Sequence, residues 1–239
     1  MSATCLNCST AYAGNFCPEC GQKMNTQRVT FSAIIHEIPH SVFHIDKGFF
    51  FTFIQLLYRP GYAIKDYLQG KRVKYFTPIA YLLLLCAASS LFGHYAFGVA
   101  LDTQKGILFP KLAAFFKHYP ALMFCALTPF ISVWSWLFNR DKQFNYWEIV
   151  VLNIYIIAQF NFFFIINTTL GVLGIYTSPN VTPMLICFIA YLVFTYLQFF
   201  KSKFTFKRLV RNTAMILLIV FTLINGLSIM GFMTKWWWW

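Results

Sequence analysis

Four cysteines near the N-terminus carry the clearest chemistry in the sequence. They stand as Cys5-x-x-Cys8 and, after an eight-residue spacer, Cys17-Pro-Glu-Cys20, with Gly21 directly behind. Two such knuckles bring four thiolates to one point, the tetrahedral set that zinc takes in structural sites. The spacer is shorter than usual and fits a minimal ribbon. Gly21 suits a knuckle turn, which needs backbone without a Cβ. Four protein ligands close the coordination shell, so the expected metal is structural rather than catalytic. The alternative is a pair of disulfides, which suits an oxidising compartment. A redox role for CxxC would need a thioredoxin-like βαβ unit, and the pattern has none. Cys86, Cys125 and Cys187 fall in apolar runs and read as packing residues.

Three histidines form a second candidate. His36, His40 and His44 recur every four residues, a spacing that shares one helix face. They predict either a second metal site or a pH-sensing strip, or else a mildly basic polar face at lipid headgroups. Pro39 inside the run works against rigid metal geometry. Catalytic signatures are missing: no Gly-rich phosphate loop, no GxSxG, no HExxH. The chain holds seven acids; Asp46 and Asp66 read as isolated, and Glu148 sits at a helix start. No carboxylate pair is available for general acid–base work.

Composition dictates what positions these groups. Of 239 residues, 59% are hydrophobic, 21% aromatic and 11% charged, with a net charge of +12. A soluble domain runs at roughly 45–50% apolar and about 25% charged. An ordinary water-soluble enzyme and a disordered chain are both excluded. Stretches lacking Lys, Arg, Asp and Glu are long enough for spans of about 20 residues. They predict five helices, near 77–97, 120–138, 149–173, 183–200 and 213–233. The long stretch 149–200 is split by a turn signal over 177–183 that holds Pro179 and Pro183. The runs are apolar all round rather than alternating, which excludes a lipid-spanning barrel.

Charge placement sets the orientation. Lys65, Lys71, Arg72 and Lys74 precede the first run, and Arg140 and Lys142 follow the second. Lys201, Lys203, Lys207, Arg208 and Arg211 separate the fourth from the fifth. The positive-inside rule then puts the N-terminus in the cytoplasm and, after five spans, the C-terminus outside. Lys105, Lys111 and Lys117 become external, and 102–118 reads as a short surface helix. The polar, cysteine-rich first 30 residues predict no cleavable signal peptide.

Residues 31–58 place Ile34, Ile35, Ile38, Val42, Ile45 and Phe49 on one helical arc, opposite His36, Glu37, His40, Ser41, His44 and Lys47. That predicts an amphipathic segment lying in the interface plane. Tyr58-Arg59-Pro60-Gly61 reads as a turn. Lys71, Arg72 and Lys74, like the 201–211 cluster, could pair with anionic lipid phosphates, act only as topology anchors, or bind a nucleic acid or other polyanion. No charge lies in the middle of a run, which argues against a proton pump or ion-coupled transporter. Asn153, Asn161 and Asn167 share about a third of the wheel, and Asn225 in the fifth run could face them. They predict hydrogen-bonded helix packing or the polar lining of an oligomeric pore. The run from Trp236 to Trp239 reads as an external anchor.

Three motifs together resemble a known family. They are Phe16-Cys17-Pro18-Glu19-Cys20-Gly21-Gln22-Lys23, then Leu56-Leu57-Tyr58-Arg59-Pro60-Gly61, then Gly70-Lys71-Arg72-Val73-Lys74-Tyr75-Phe76-Thr77-Pro78. The family is an uncharacterised bacterial membrane family, common in Bacteroidetes, known only as a domain of unknown function. The resemblance covers about the first 90 residues; the later runs share only hydropathy. The layout is also similar to multi-spanning accessory proteins encoded beside RNA-targeting CRISPR effectors, which are proposed to act at the membrane in phage defence. Neither group supplies catalytic residues to carry over. The resemblance implies a bacterial inner membrane.

The sequence thus predicts an all-α integral membrane protein of about five transmembrane helices, with a zinc ribbon in 1–27, an interfacial segment in 28–74 and a bundle in 75–239. The favoured function is non-enzymatic: an oligomeric pore or membrane accessory protein, in contact with anionic headgroups, whose ribbon recruits a cytoplasmic protein or nucleic-acid partner. A transporter or lipid-handling protein, and a membrane enzyme with a His-based metal site, are the alternatives.

Overall fold

The computed structural model describes residues 3–23, 28–30, 48–97, 120–139, 144–175, 182–200, 214, 215 and 218. His36, His40 and His44, the 102–118 loop, most of the 177–183 turn, the 201–211 cations, Asn225 and the terminal tryptophans lie outside the described residues. Among the described residues the elements are a two-stranded antiparallel sheet, β1 (Ala3–Thr4) and β2 (Ala11–Tyr12), and six helices. The helices are α1 (Gly48–Tyr58), α2 (Pro60–Leu68), α3 (Pro78–Phe97), α4 (Pro120–Leu137), α5 (Tyr146–Val172) and α6 (Thr182–Phe200). Of the fifth apolar run, only 214, 215 and 218 are described, and all three are helical. The chain divides into two compact units: Met1–Tyr81 with Tyr191–Lys201, and Leu82–Ala190 with Ser202–Trp239.

Helix starts follow local chemistry. Proline opens α2, α3 and α4, where its fixed φ is helical and no N–H is missed. α5 begins at Tyr146, ahead of the expected 149, because Asn145 and Glu148 form a capping box. The Glu148 backbone N–H donates to Asn145 Oδ1, and the Asn145 N–H donates to a Glu148 carboxylate oxygen, both at 2.8 Å. Two donors that the helix cannot satisfy internally are thereby met. α5 ends where Gly174 adopts φ +72°. The Ile175 N–H then reaches back to the Leu170 carbonyl and that of Gly174 to Gly171, each at 3.1 Å, the paired bonds of a Schellman stop. Two stretches, Tyr146–Val172 and Pro183–Phe200, are long and apolar enough to cross a membrane.

In the second unit, α4 packs on α5 through small polar groups. Asn153 Nδ2 donates to Ser132 Oγ at 3.1 Å, to Ser135 Oγ at 3.3 Å and to the Ile149 carbonyl at 3.1 Å. Both serine hydroxyls donate in turn to carbonyls of their own helix, Thr128 and Ile131. Asn161 accepts from Ser89 Oγ on α3 at 2.8 Å and donates to the Ile157 carbonyl at 3.0 Å. Such small and polar side chains let helices approach closely and hydrogen-bond to one another. Asn167 is half-buried. Cys86 is buried, but Cys187 is exposed beside Ile186 and is not the packing residue expected.

The first unit is built on α1, α2 and the last turns of α6. α1 and α2 are separated by Arg59 alone, so the expected turn over 58–61 shrinks to one residue and Pro60 and Gly61 already belong to α2. α1 buries Thr52 and Leu56. Thr52 Oγ1 accepts from the Phe76 N–H at 2.7 Å, and Tyr191 donates to the Leu56 carbonyl at 3.1 Å. Phe49 meets Phe76 edge-on at 5.8 Å and Tyr81 at 5.5 Å. Gly61 is buried against α6, its N–H donating to Gln198 Oε1 at 3.1 Å. A Cβ placed there would run into the Phe199 nitrogen and lie 2.7 Å from the Thr195 carbonyl.

Candidate metal centre

The four N-terminal cysteines lie on two turns with the same hydrogen bonds. In the first, the Cys5 N–H donates to the Thr10 carbonyl and the Ser9 N–H to the Cys5 carbonyl, both at 2.9 Å. In the second, the Cys17 N–H donates to the Gln22 carbonyl at 2.9 Å and the Gly21 N–H to the Cys17 carbonyl at 2.8 Å. Each turn is closed by an antiparallel pair in the same place, Thr4 with Ala11 and Phe16 with Lys23. Every element of the second turn repeats the first twelve residues later in the chain. The ribbon is therefore one knuckle used twice.

This repetition fixes the sulfurs. Cys5 Sγ lies 3.5 Å from Cys20 Sγ, and Cys8 Sγ lies 3.5 Å from Cys17 Sγ. Exchanging the two knuckles turns one distance into the other, as a pseudo-two-fold axis through the centre requires. All four sulfurs fall within 4.8 Å of one another. They are free thiols, not the two disulfides of the alternative reading; a covalent S–S bond is only about 2.05 Å long. Four convergent sulfurs could hold a metal ion. Tyr12 packs beneath them with Cys5 and Cys17, and its hydroxyl is pushed up by burial and then by the cysteines' charge.

Environment separates two of the thiols. The Cys8 thiol is held down to about 6, chiefly by the Thr10 hydroxyl. The two groups are 3.3 Å apart, and the hydroxyl can rotate to donate once the sulfur ionises. Burial pushes the Cys17 thiol up to about 11. Asn7 adds a backbone N–H aimed at Cys5 Sγ at 3.4 Å.

The repeat also exposes one mismatch. Gly21 has φ +72°, and its counterpart Ser9 has φ +63°. A residue with a Cβ pays roughly 1–2 kcal/mol in that conformation. Ser9→Gly is expected to tighten metal binding by several-fold, read by competition with a chromophoric chelator; weaker binding would mean that the first turn relies on the serine side chain. The sequence flagged Gly21 for this role and passed over Ser9, because serine carries no such signal by itself.

The ribbon meets the segment that leads into α3. The carbonyl of Gln22 holds the Cys17 N–H, and its side-chain Oε1 accepts from the Arg72 N–H at 3.4 Å. Arg72 also stacks over the Tyr67 ring at 5.4 Å. Asp66, expected to stand isolated, is instead a hub. It accepts from Lys71 Nζ at 2.8 Å, from Arg59 at 3.4 Å and from the Tyr75 hydroxyl at 3.4 Å. Two turns of α2 and one short loop bring these four residues together, which spacing alone does not show. Of the three candidate headgroup cations here, Lys71 is thus ion-paired, Arg72 lies over a ring, and Lys74 is exposed.

Burial, and then the charge of Asp66, push the Tyr75 hydroxyl from 10.0 up to about 12. A phenol that keeps its proton better when folded stabilises the fold in full below pH 10. That contribution is lost as the pH rises from 10 through 12. Tyr75→Phe is expected to flatten the fall in melting temperature across this window; an unchanged slope would show that Tyr75 ionises as freely in the fold as outside it.

Residues 46–89 match the family model described as a protein of unknown function, DUF3667. The match takes in α1, α2, the Asp66 hub and the first turns of α3, and leaves out the four clustered cysteines. It agrees with an uncharacterised family, and the cysteine cluster with a metal-binding ribbon beside it. It does not bear on the resemblance to CRISPR accessory proteins. No curated protein and no solved structure matches the chain.

Proposed function

We propose that the chain is a non-enzymatic, multi-pass protein of a bacterial inner membrane that displays a structural zinc ribbon in the cytoplasm as a docking element for a protein or nucleic-acid partner. The observation that carries this reading is the sulfur geometry. Tetrahedral zinc with Zn–S bonds of about 2.3 Å sets its sulfurs about 3.8 Å apart. The paired sulfurs stand at 3.5 Å, and the full set spans at most 4.8 Å, so only small adjustments would seat the ion. Cys5, Cys8, Cys17 and Cys20 would supply all four bonds, leaving no open position for substrate. Zinc bound there would hold the two knuckles together; the chain's own Thr10, Gln22 and Asn7 orient the sulfurs around it.

The two long apolar helices support a membrane location by length and composition. The five spans rest on the long stretches free of charged residues, and the N-inside orientation on the placement of cations. For the bundle, the hydrogen bonds of Asn153 and Asn161 to serines of adjacent helices favour packing over a pore lining.

The test is the metal content of detergent-purified protein by elemental mass spectrometry. One zinc per chain is expected. None would end the ribbon reading, and two or more would bring back His36, His40 and His44 as a second site. Dye leakage from liposomes carrying the protein would revive the pore.

A further inference from the structure

α1 has two apolar faces, and only one is covered. Thr52 and Leu56 are buried, with Phe49 and Phe53 beside them. On the other side, Phe50, Ile54, Leu57 and Tyr58 are 67, 56, 38 and 84% exposed. At 100° per residue these four fall within an arc of about 100°, a continuous stripe. The stripe is not the one expected from the sequence, which assigned the arc of Phe49 to the interface.

Exposed basic residues adjoin both ends of α1. At the start of α1, the Lys74 carbonyl lies 3.5 Å from the point a side chain on Gly48 would occupy, and Lys74 is exposed. At the far end, Arg59 follows Tyr58 and joins Lys71 on Asp66, two cations on one carboxylate. We propose that α1 is an interfacial helix, lying flat in one leaflet with its Phe50–Ile54–Leu57–Tyr58 stripe in the acyl layer and the cations at its two ends on lipid phosphates.

Length decides the orientation. Eleven residues of helix measure about 16 Å, half of a bilayer core of roughly 30 Å. Stood upright, the helix would carry one charged end to the centre of the membrane, where charge is costly. Laid flat, both ends reach the headgroups while the stripe stays in hydrocarbon. Charge also argues for lipid over a second copy of the chain. Cations at both ends attract anionic headgroups and repel their own like. Four side chains also fall well short of the roughly 800 Å² per partner that a stable protein interface buries.

This inference rests on the membrane reading above, and the experiment separates the two. A benzophenone amino acid is placed singly at Phe50, Ile54, Phe49 and Ile186 in the full chain. Ile186, on α6, is 63% exposed and reports on the bundle. Each protein is reconstituted in phosphatidylethanolamine–phosphatidylglycerol vesicles, irradiated and analysed by mass spectrometry. Lipid adducts at positions 50 and 54, several-fold above those at 49, are expected, together with adducts at 186. Lipid at 186 without lipid at 50 and 54 overturns the interfacial helix alone. No lipid at any position overturns the membrane reading as well. Adducts at 50 and 54 to a second chain, or to another stretch of the same chain, give the stripe a protein partner and also overturn the proposal.

Discussion

Cys17→Ser is expected to empty the ribbon of metal and unfold it while the helices stay in place. Cys17 is buried in a small core among the described ribbon residues, a cluster of Cys5, Tyr12 and Cys17 with Cys20 against it. Ordering a residue costs about 1–2 kcal/mol of backbone entropy, and a cluster this small cannot offset that over residues 3–23. Metal binding worth roughly 10–16 kcal/mol in zinc-finger peptides is what folds such domains. With one of four thiolates gone, bound zinc should fall from one per chain to none. Amide exchange should rise throughout 3–23 and stay slow in α5 and α6. Cys187→Ser is the matched control: an exposed cysteine that is not one of the clustered four, it should leave the metal content alone. Metal retained by Cys17→Ser would mean that another group completes the site. Slow exchange lost from α5 and α6 as well would mean that ribbon and helices fold as one.

Gly61→Ala should cost the fold more than any other single methyl among the described residues. Alanine would gain up to about 1 kcal/mol of helix propensity. Against that, the new Cβ meets the Phe199 nitrogen and the Thr195 carbonyl, backbone atoms that cannot rotate aside. Overpacking of this sort costs about 1–3 kcal/mol. Prising α2 from α6 also strains the bond from the Gly61 N–H to Gln198, worth about another 1 kcal/mol. The clash wins, with a net loss of about 2 kcal/mol, or a fall of roughly 4–8 °C in melting temperature in detergent for a chain of this size. Gly61→Val should fall further. An alanine variant as stable as the parent would mean that the two helices do not meet this closely.

Helix positions were largely legible from the sequence, because they depend on local features. The expected runs 120–138 and 183–200 correspond to Pro120–Leu137 and Thr182–Phe200, where a proline marks one edge of the apolar stretch. The cysteine set was legible for the same reason: CxxC spacing places its own sulfurs. What stayed hidden was contact between distant residues. Gly61 looked like part of a turn, yet what matters is Gln198 and Phe199, brought to it by folding. Asp66 looked isolated because its partners Arg59, Lys71 and Tyr75 are assembled by two helix turns and a loop. The outer stripe of α1 was missed because the segment before it set the phase of the expected wheel.

Gln22 has a reach that its modest appearance conceals. Its carbonyl braces the buried sulfur turn and its amide oxygen braces Arg72, at the threshold of α3. The second knuckle is thereby tied to the segment ahead of α3 by a side chain as well as by the chain itself. Under the docking role proposed above, a load on the ribbon would reach the approach to α3 through this one residue.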